Sequence, residues 1–217
     1  MLFRPPKIHE RRGKKPERRG PREPGMYVLD FMEMGNPTDR HVEHRTNPVA
    51  QGVGIKYFTL LEAMPYPMVR LEVMEKVMFG PESKVRKITP INYSDLTSVA
   101  RANLKDAVKK IIMDNEHVFV KFFNIAEPVN IRMHVFELFP GIGKKTMRLL
   151  IEERENKEFT SFEDIKNRVK IDPVKVLCER IVKELEGNEK YYVFIRPPRG
   201  QGIYLGYLEK LYGEIFF

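Results

Sequence analysis

Hydrophobic positions change their spacing part-way along this chain. From Met26 to about Thr89 they fall in short runs. Met26 to Met34 is one, and Val53, Ile55, Tyr57, Thr59 and Leu61 alternate through a second. Shorter runs follow at Met68 to Val73, Glu75 to Phe79 and Lys84 to Ile88, with turn clusters at Gly35-Asn36-Pro37, Met64-Pro65-Tyr66-Pro67 and Gly80-Pro81. Alternation places successive side chains on opposite faces of a strand. Short strands broken by such turns predict a small OB-like barrel over residues 26–90, closed or nearly so, with Val53, Ile55 and Leu61 inside. The same alternation puts Lys56 and Phe58 on the opposite face, a cation beside an aromatic ring, which is what single-stranded nucleic acid uses for backbone attraction and base stacking. The other account, preferred because strand bulges easily invert such faces, is that Phe58 packs under a loop or against a helix.

The period then lengthens to that of a helix. Leu96, Val99, Ala100, Leu104, Ala107, Val108, Ile111 and Ile112 form one stripe with Ser94 as its N-cap. Phe119, Val120, Phe122, Phe123 and Ala126 repeat the spacing up to Pro128, so residues 91–128 read as linking helices. Residues 129–190 read as a mostly helical domain, starting with an apolar helix from about Ile131 to Leu138 and a second bearing Met147, Leu149, Leu150 and Ile151. Ser161 with Asp164 makes a capping box for a short helix through Val169. Asp172 and Pro173 supply the N-cap and first position of a helix carrying Val176, Leu177, Ile181, Val182 and Leu185. In the remaining residues, 191–217, Tyr191 to Ile195 reads as a strand and Arg196 to Gly202 as a basic loop. The segment from Ile203 onward, rich in Tyr, Leu and Phe, has to dock on the body or on a second subunit. The fold class is therefore α+β, a barrel followed by helices.

Between the first two helices of the helical domain stands Leu138-Phe139-Pro140-Gly141-Ile142-Gly143-Lys144-Lys145. Proline ends one helix, and glycines that take positive φ without steric cost let the backbone turn sharply into the next. The first N–H groups of that next helix are then unpaired beside two ammonium groups, an arrangement suited to phosphate. The stretch resembles the helix-hairpin-helix family, whose hallmark is an apolar residue, Pro-Gly-Ile-Gly and a lysine between two short helices. The resemblance implies that Gly141, Ile142, Gly143, Lys144 and Lys145 grip phosphate oxygens of nucleic acid, and that hairpin carbonyls can hold a monovalent cation. No other cofactor is expected. In tandem members a second Gly-rich hairpin grips the opposite strand. Here the corresponding segment is Val169-Lys170-Ile171-Asp172-Pro173, without glycine and with an acid, so the two turns are expected to differ. The alternative is a helix linker whose glycines only cap, or a hairpin that touches protein.

Taken whole, residues 26 to 195 resemble an archaeal family of uncharacterised proteins described as nucleotide- or RNA-binding, which join an OB-like domain to a helix-hairpin-helix domain. The matching residues are Gly54 with Tyr57-Phe58-Thr59-Leu60-Leu61-Glu62, Phe122-Phe123-Asn124, Pro140 to Lys145, and Ser161-Phe162-Glu163-Asp164-Ile165. The resemblance implies nucleic acid as the partner, RNA favoured over DNA; a protein-interaction module would instead take ribosomal or transcription-associated proteins as partners.

Charge sharpens this reading in two places. The chain of 217 residues carries a formal +8, and its 42% hydrophobic residues are enough for a core. Residues 1–25 hold nine of the 38 Lys/Arg and three of the 30 Asp/Glu, so the rest is near +2. With five prolines and three glycines, that arm is expected to be disordered. It reads as a nucleic-acid arm, or as a solubilising extension ahead of a start at Met26. Basic clustering in the body is confined to Lys144-Lys145 with Arg148 and to Arg196-Pro197-Pro198-Arg199, and both clusters are candidate phosphate contacts. No apolar run approaches the length needed to span a bilayer and the N-terminus lacks a secretory pattern, so no membrane contact and a cytoplasmic location are expected.

Catalytic constellations fail one by one. The P-loop pattern would need glycine where Leu138 stands and Ser or Thr where Lys145 stands. Glycosylases with this hairpin carry an Asp in a Gly/Pro-rich tract beyond it, whereas Asp164 sits in a capping box. Structure-specific nucleases need a Glu-Arg-Lys core, which Glu153-Arg154-Glu155 is not. His41 and His44 have ligand-like spacing near Asp39 and Glu43 but no cysteine partner, and read as loop composition. His117 and His134 read as structural or solvent-facing, and Cys178 as a buried thiol. The expectation is a non-catalytic binder. Its alternatives are a nucleic-acid-processing enzyme with unassigned residues, or a protein-interaction module.

Overall fold

The computed structural model describes residues 23–37, 42–198 and 200–213. Five strands, β1 (Gly25–Met32), β2 (Val49–Gly54), β3 (Leu60–Pro65), β4 (Lys76–Met78) and β5 (Val85–Pro90), form a curled antiparallel sheet in the order β4-β1-β2-β3-β5. Two bulges, in β1 between Val28 and Asp30 and between β3 and β5 at Ala63/Met64, bend it. The inside of the curl packs Met26, Val28, Ala50, Leu61, Ala63, Leu71, Val77 and Val85. The outside places Tyr27, Leu29, Val53 and Leu60 in the same core as the helices.

This is a half-barrel, and the expectation of a closed one is corrected. β4 and β5 are the two ends of the sheet, and each pairs on one side only. Val53 and Ile55 lie in the helix-facing core whereas Leu61 lies inside the curl, so the three do not share an interior. The alternating run from Val53 to Leu61 is a hairpin, not one strand: β2 ends at Gly54 and β3 starts at Leu60. What stops it is the carboxylate of Glu23, which accepts N–H bonds from Lys56, Tyr57 and Thr59 and folds the intervening residues into a turn. Met68 to Val73 forms no strand, and Met68 takes φ +66 in a turn. Of the residues assigned to the arm, Gly25 opens β1 and pairs with Met78, while Pro24, accepting from Phe79 N, and Glu23, holding the β2–β3 turn, are bonded to the sheet. Residues 1–22 of that arm lie outside the described residues.

α1 (Ser98–Asp114) starts three residues later than Ser94 would place it. Its N-cap is Thr97, whose hydroxyl accepts from Ala100 N and donates to Asp30 on β1. α2 (Glu116–Ile125) buries Phe119, Phe122 and Phe123. The expected helix at Ile131 to Leu138 is replaced by a short hairpin, β6 (Pro128–Asn130) with β7 (Met133–His134), and a 3-10 turn over Val135–Leu138. The Asn130 side chain closes that hairpin by accepting from Arg132 N, and Glu137 accepts from His134 N, so local side chains take the amides an α-helix would need. α3 (Lys144–Asn156), α4 (Phe162–Val169) and α5 (Pro173–Glu186) follow, the last two capped by Ser161 and Asp172 as their spacing predicts.

At the C-terminal end, β8 (Tyr191–Tyr192) pairs in parallel with β9 (Ile203–Tyr204), and α6 (Tyr207–Tyr212) docks on the body, burying Tyr207, Leu208 and Leu211. The strand expected through Ile195 stops at Tyr192 because the amides of Val193, Phe194 and Ile195 all donate to the Glu184 carboxylate.

Candidate functional site

The Phe139–Gly143 turn is fixed by its apolar residues and opened by its glycines. Phe139 and Ile142 are buried, and the Phe139 ring meets Phe122 at 5.4 Å and Phe194 at 6.0 Å. Phe122 also meets Phe136, Phe194 and Tyr207, so one aromatic cluster joins α2, the 3-10 turn, α6 and this turn. Behind it Arg180, buried on α5, donates to the carbonyls of Leu138 (3.0 Å) and Tyr191, and its Nε is 2.7 Å from Glu184. The backbone leading into the turn is therefore anchored on two sides.

Gly141 takes φ +81, a left-handed value that an L side chain adopts at a cost of roughly 1–2 kcal/mol. Gly143 is extended, at φ −87 and ψ 174, and serves as the N-cap of α3 without any side-chain hydrogen bond. A Cβ built on either glycine meets nothing within 4 Å, so both face open space. The first intrahelical bond is Met147 N to Gly143 O, and the N–H groups of Lys144, Lys145 and Thr146 have no acceptor among the described residues. Lys144, Lys145 and Arg148 are exposed and make no ion pair there. On α3, Arg148 stands four residues from Lys144 and three from Lys145, so each lysine neighbours it on the helix surface.

Three other helix starts contrast with this one, whereas α2 and α6, with Asn115 and Gly206 at the N-cap, also lack a side-chain cap. Ser161 accepts from Asp164 N, Asp172 from Lys175 N, and Thr97 from Ala100 N, so α4, α5 and α1 have their first amides answered from within. At the second turn the Asp172 carboxylate occupies the position where a bound anion would sit, and Lys170 closes α4 in the left-handed region, its N–H on Lys166 O. The two turns differ as the missing glycine implies.

The remaining candidate residues are not gathered here. Phe58 is fully buried against Phe119, ring centroids 6.2 Å apart, and offers no surface to a base. Lys56 stands over the rings of Tyr57 and Tyr212 at 5.1 and 4.7 Å, and the outer face of the sheet is covered by α1 and α2. The expected Lys56–Phe58 stacking face is thereby corrected. Arg196 is exposed but pairs with Glu209 at 3.1 Å and lies over the Tyr204 ring. Arg199 lies outside the described residues, as do Asp39 and His41.

His44 is buried, with Nδ1 3.0 Å from Glu62, whose other oxygen accepts from Gln51 at 2.8 Å. That pair ties the segment before β2 to the sheet. No group of three or more His, Cys, Asp or Glu side chains among the described residues is placed to share a metal ion. His134 is buried beside Phe136. Burial, and then the Arg154 charge, hold its imidazole below the usual range. The Cys178 thiol, against Lys105 O on α1, is pushed up to about 11 by burial. Among the described residues no helix is long and apolar enough to cross a membrane.

Sequence reasoning missed Glu23, Arg180 and Glu184. Arg180 and Glu184 stand four residues apart amid the buried Leu177 and Ile181 of α5, a charged pair on an apolar stripe, and that was the available signal.

Fold and site together define an α+β protein in which a curled five-stranded antiparallel sheet supports a helical layer that presents one glycine turn and an uncapped helix start. Among known proteins this arrangement has relatives in archaea. The chain belongs to the family described as "Protein of unknown function (DUF655)", which matches residues 22–196. It is 37% identical over 181 residues to the uncharacterized protein MJ0038 of Methanocaldococcus jannaschii, covering 80% of each chain. It is also similar to the crystal structure of Af1531 from Archaeoglobus fulgidus, with a TM-score of 0.72 and 41% identity over 80% of this chain and all of that one.

Proposed function

We propose that this protein binds nucleic acid without catalysis, gripping backbone phosphate through the turn at Gly141–Gly143 and the first amides of α3, with Lys144, Lys145 and Arg148 supplying the positive charge. The observation that carries the reading is the uncapped start of α3, whose first N–H groups have no acceptor among the described residues and stand beside glycines open to solvent and cations unpaired there. A helix N-terminus of this kind favours an anion through its amides and its dipole together. On the same reading, the order β4-β1-β2-β3-β5 is an OB arrangement opened between β4 and β5, and the turn with its flanking helices is a helix-hairpin-helix unit. RNA is favoured over DNA, and a cytoplasmic location goes with it. The sheet face and Phe58 take no part, because the helices cover them.

Gly143→Val tests the site cleanly. Valine accepts the extended backbone, and its side chain enters open space, so the fold holds at a cost of roughly 1 kcal/mol for the poorer N-cap while the approach to the amides is blocked. Binding to a structured RNA should weaken at least about tenfold, each tenfold being about 1.4 kcal/mol. Asp172→Ala costs α5 its cap, roughly 1 kcal/mol of stability, and leaves binding intact. The arm needs its own control, since nine cations would bind phosphates by themselves with a log–log salt slope of roughly 0.7 to 0.9 per phosphate. A deletion must stop at residue 22, because Glu23 is bonded to the sheet. The shortened chain should bind more weakly, with a flatter salt slope, and changing Lys144 and Lys145 to Ala should then abolish binding. No binding at low salt by the shortened chain to any RNA or DNA form would transfer the turn to a protein contact, while product formation with divalent metal would make the protein an enzyme.

A further inference from the structure

The turn between β2 and β3 holds an anion that comes from the chain itself. Glu23 Oε2 accepts from Lys56 N at 2.9 Å and Oε1 from Thr59 N at 2.9 Å, while Tyr57 N stands 3.1 Å from both oxygens. The Thr59 hydroxyl adds a further hydrogen bond. The amides converge because Phe58, a non-glycine residue, is held at φ +57, which turns Thr59 N–H toward the same point as its predecessors. Converging successive amides form a nest, a concavity that binds oxyanions. Backbone strain of this kind costs about 1–3 kcal/mol and persists only where the surroundings enforce it. Gly54 completes the cradle, since a Cβ there would lie 2.1 Å from Glu23 Cδ.

We propose that the Gly54–Thr59 turn is a binding site for a phosphate-type oxyanion, kept closed by Glu23. The two oxygens of the carboxylate divide four hydrogens between them, and the Tyr57 N–H is shared. A terminal or inorganic phosphate has more free oxygens and greater charge, so the same donors find more acceptors. Burial pushes the Glu23 carboxyl above the usual carboxylate range, against the pull of these hydrogen bonds. Lys56, whose N–H is one of the donors, carries its ammonium over Tyr57 and Tyr212 close by. Glu23 stands only two residues before the paired start of β1, so its effective concentration is at least on the order of millimolar. Dilute free phosphate therefore leaves the wild-type nest closed, whereas a polyanion already held elsewhere on the chain competes on equal terms. The nest is separate from the α3 turn, but its opening in the wild-type chain by a tethered polyanion rests on the function proposed for that turn.

The test follows the backbone amide resonances of Lys56, Tyr57 and Thr59 in the full-length Glu23→Ala protein during titration with inorganic phosphate, against chloride at matched ionic strength. Saturable shifts of these three amides with phosphate alone are expected, with a midpoint at least about tenfold lower than in the wild-type chain. In a second arm, oligoribonucleotides with a 5′-phosphate or a 5′-hydroxyl assign the group to a terminal phosphate if only the first shifts these amides, and equal shifts from both overturn it, since a phosphodiester brings no more free oxygens or charge than the Glu23 carboxylate. A folded Glu23→Ala protein whose three amides ignore phosphate overturns the proposal. So does a Glu23→Ala protein that fails to fold while Glu23→Gln folds, since Glu23 would then be a structural staple the turn cannot release.

Discussion

Replacing Glu184 by leucine, alone and together with Arg180→Met, separates an ion pair from a backbone clamp. The carboxylate is buried, 2.7 Å from Arg180 Nε, and it also accepts from the amides of Val193 (2.7 Å), Phe194 (2.9 Å) and Ile195 (2.8 Å). Breaking a buried pair by removing one partner costs roughly 3–5 kcal/mol. Each buried N–H left without an acceptor adds about 1–3 kcal/mol. The single variant therefore loses about 6 kcal/mol or more, comparable to the whole stability of an ordinary domain at about 5–15 kcal/mol, and should be largely unfolded. For a simple ion pair the double apolar replacement is often neutral. Here it still strands three amides and the carbonyls of Leu138 and Tyr191, so about 3 kcal/mol of destabilisation should remain even at the lower bound per amide. Urea unfolding of the three proteins at one pH, with midpoint and slope fitted together, measures this. A double variant within about 1 kcal/mol of wild type would refute the clamp and leave only the charge pair.

Three further outcomes follow from buried groups. His134 has a depressed pKa in the fold, so below the ordinary imidazole value of about 6.5 the unfolded chain takes up a proton that the folded chain refuses. Stability should therefore fall with acid from about pH 6.5 downward, and urea midpoints between pH 7.5 and 5.5 should fall more steeply for wild type than for His134→Gln; equal slopes would contradict the burial argument. Cys178, with its thiol at about 11, should react with an aromatic disulfide reagent only as fast as the native protein opens, and at once in denaturant; rapid native labelling would show it to be accessible. Gly54→Ala forces Glu23 out of its nest and should destabilise, yet Gly54→Ala combined with Glu23→Ala should be no worse than Glu23→Ala alone, and simple additivity of the two would disprove their contact.

Features set by residues within one turn of each other were legible from the chain. The caps at Ser161 and Asp172, the stripe on α1 and the packing of Cys178 depend on local spacing, and the spacing predicts them. Where a polar side chain arrives from far away, local pattern misleads. The alternation from Val53 to Leu61 reads as one strand because nothing within it reveals that Glu23, more than thirty residues earlier, folds its middle into a turn. Tyr191 to Ile195 looks like strand for the same reason, as its amides go to Glu184 instead of a neighbouring strand. Ile131 to Leu138 has helical spacing, but Asn130 and Glu137 take its amides before a helix can form.

The same distinction sorts the candidate binding residues. Phe58 looked available because alternation assigns faces without knowing what covers them, and α2 brings Phe119 onto it. Arg196 looked available because Glu209, thirteen residues later, is invisible to a local reading. Gly141, Gly143, Lys144, Lys145 and Arg148 stay exposed, and their lack of partners among the described residues is itself local: glycine has no side chain to cap a helix, and the cations beside it pair with no acid there. Arg180 does for this turn what no nearby residue could, holding the Leu138 carbonyl from the far side of the core so that the amides beyond it stay oriented outward. A site that must stay open to a ligand needs its donors unanswered and its frame answered at long range. The open donors can therefore be read from the chain, while the frame that presents them has to be seen in the fold.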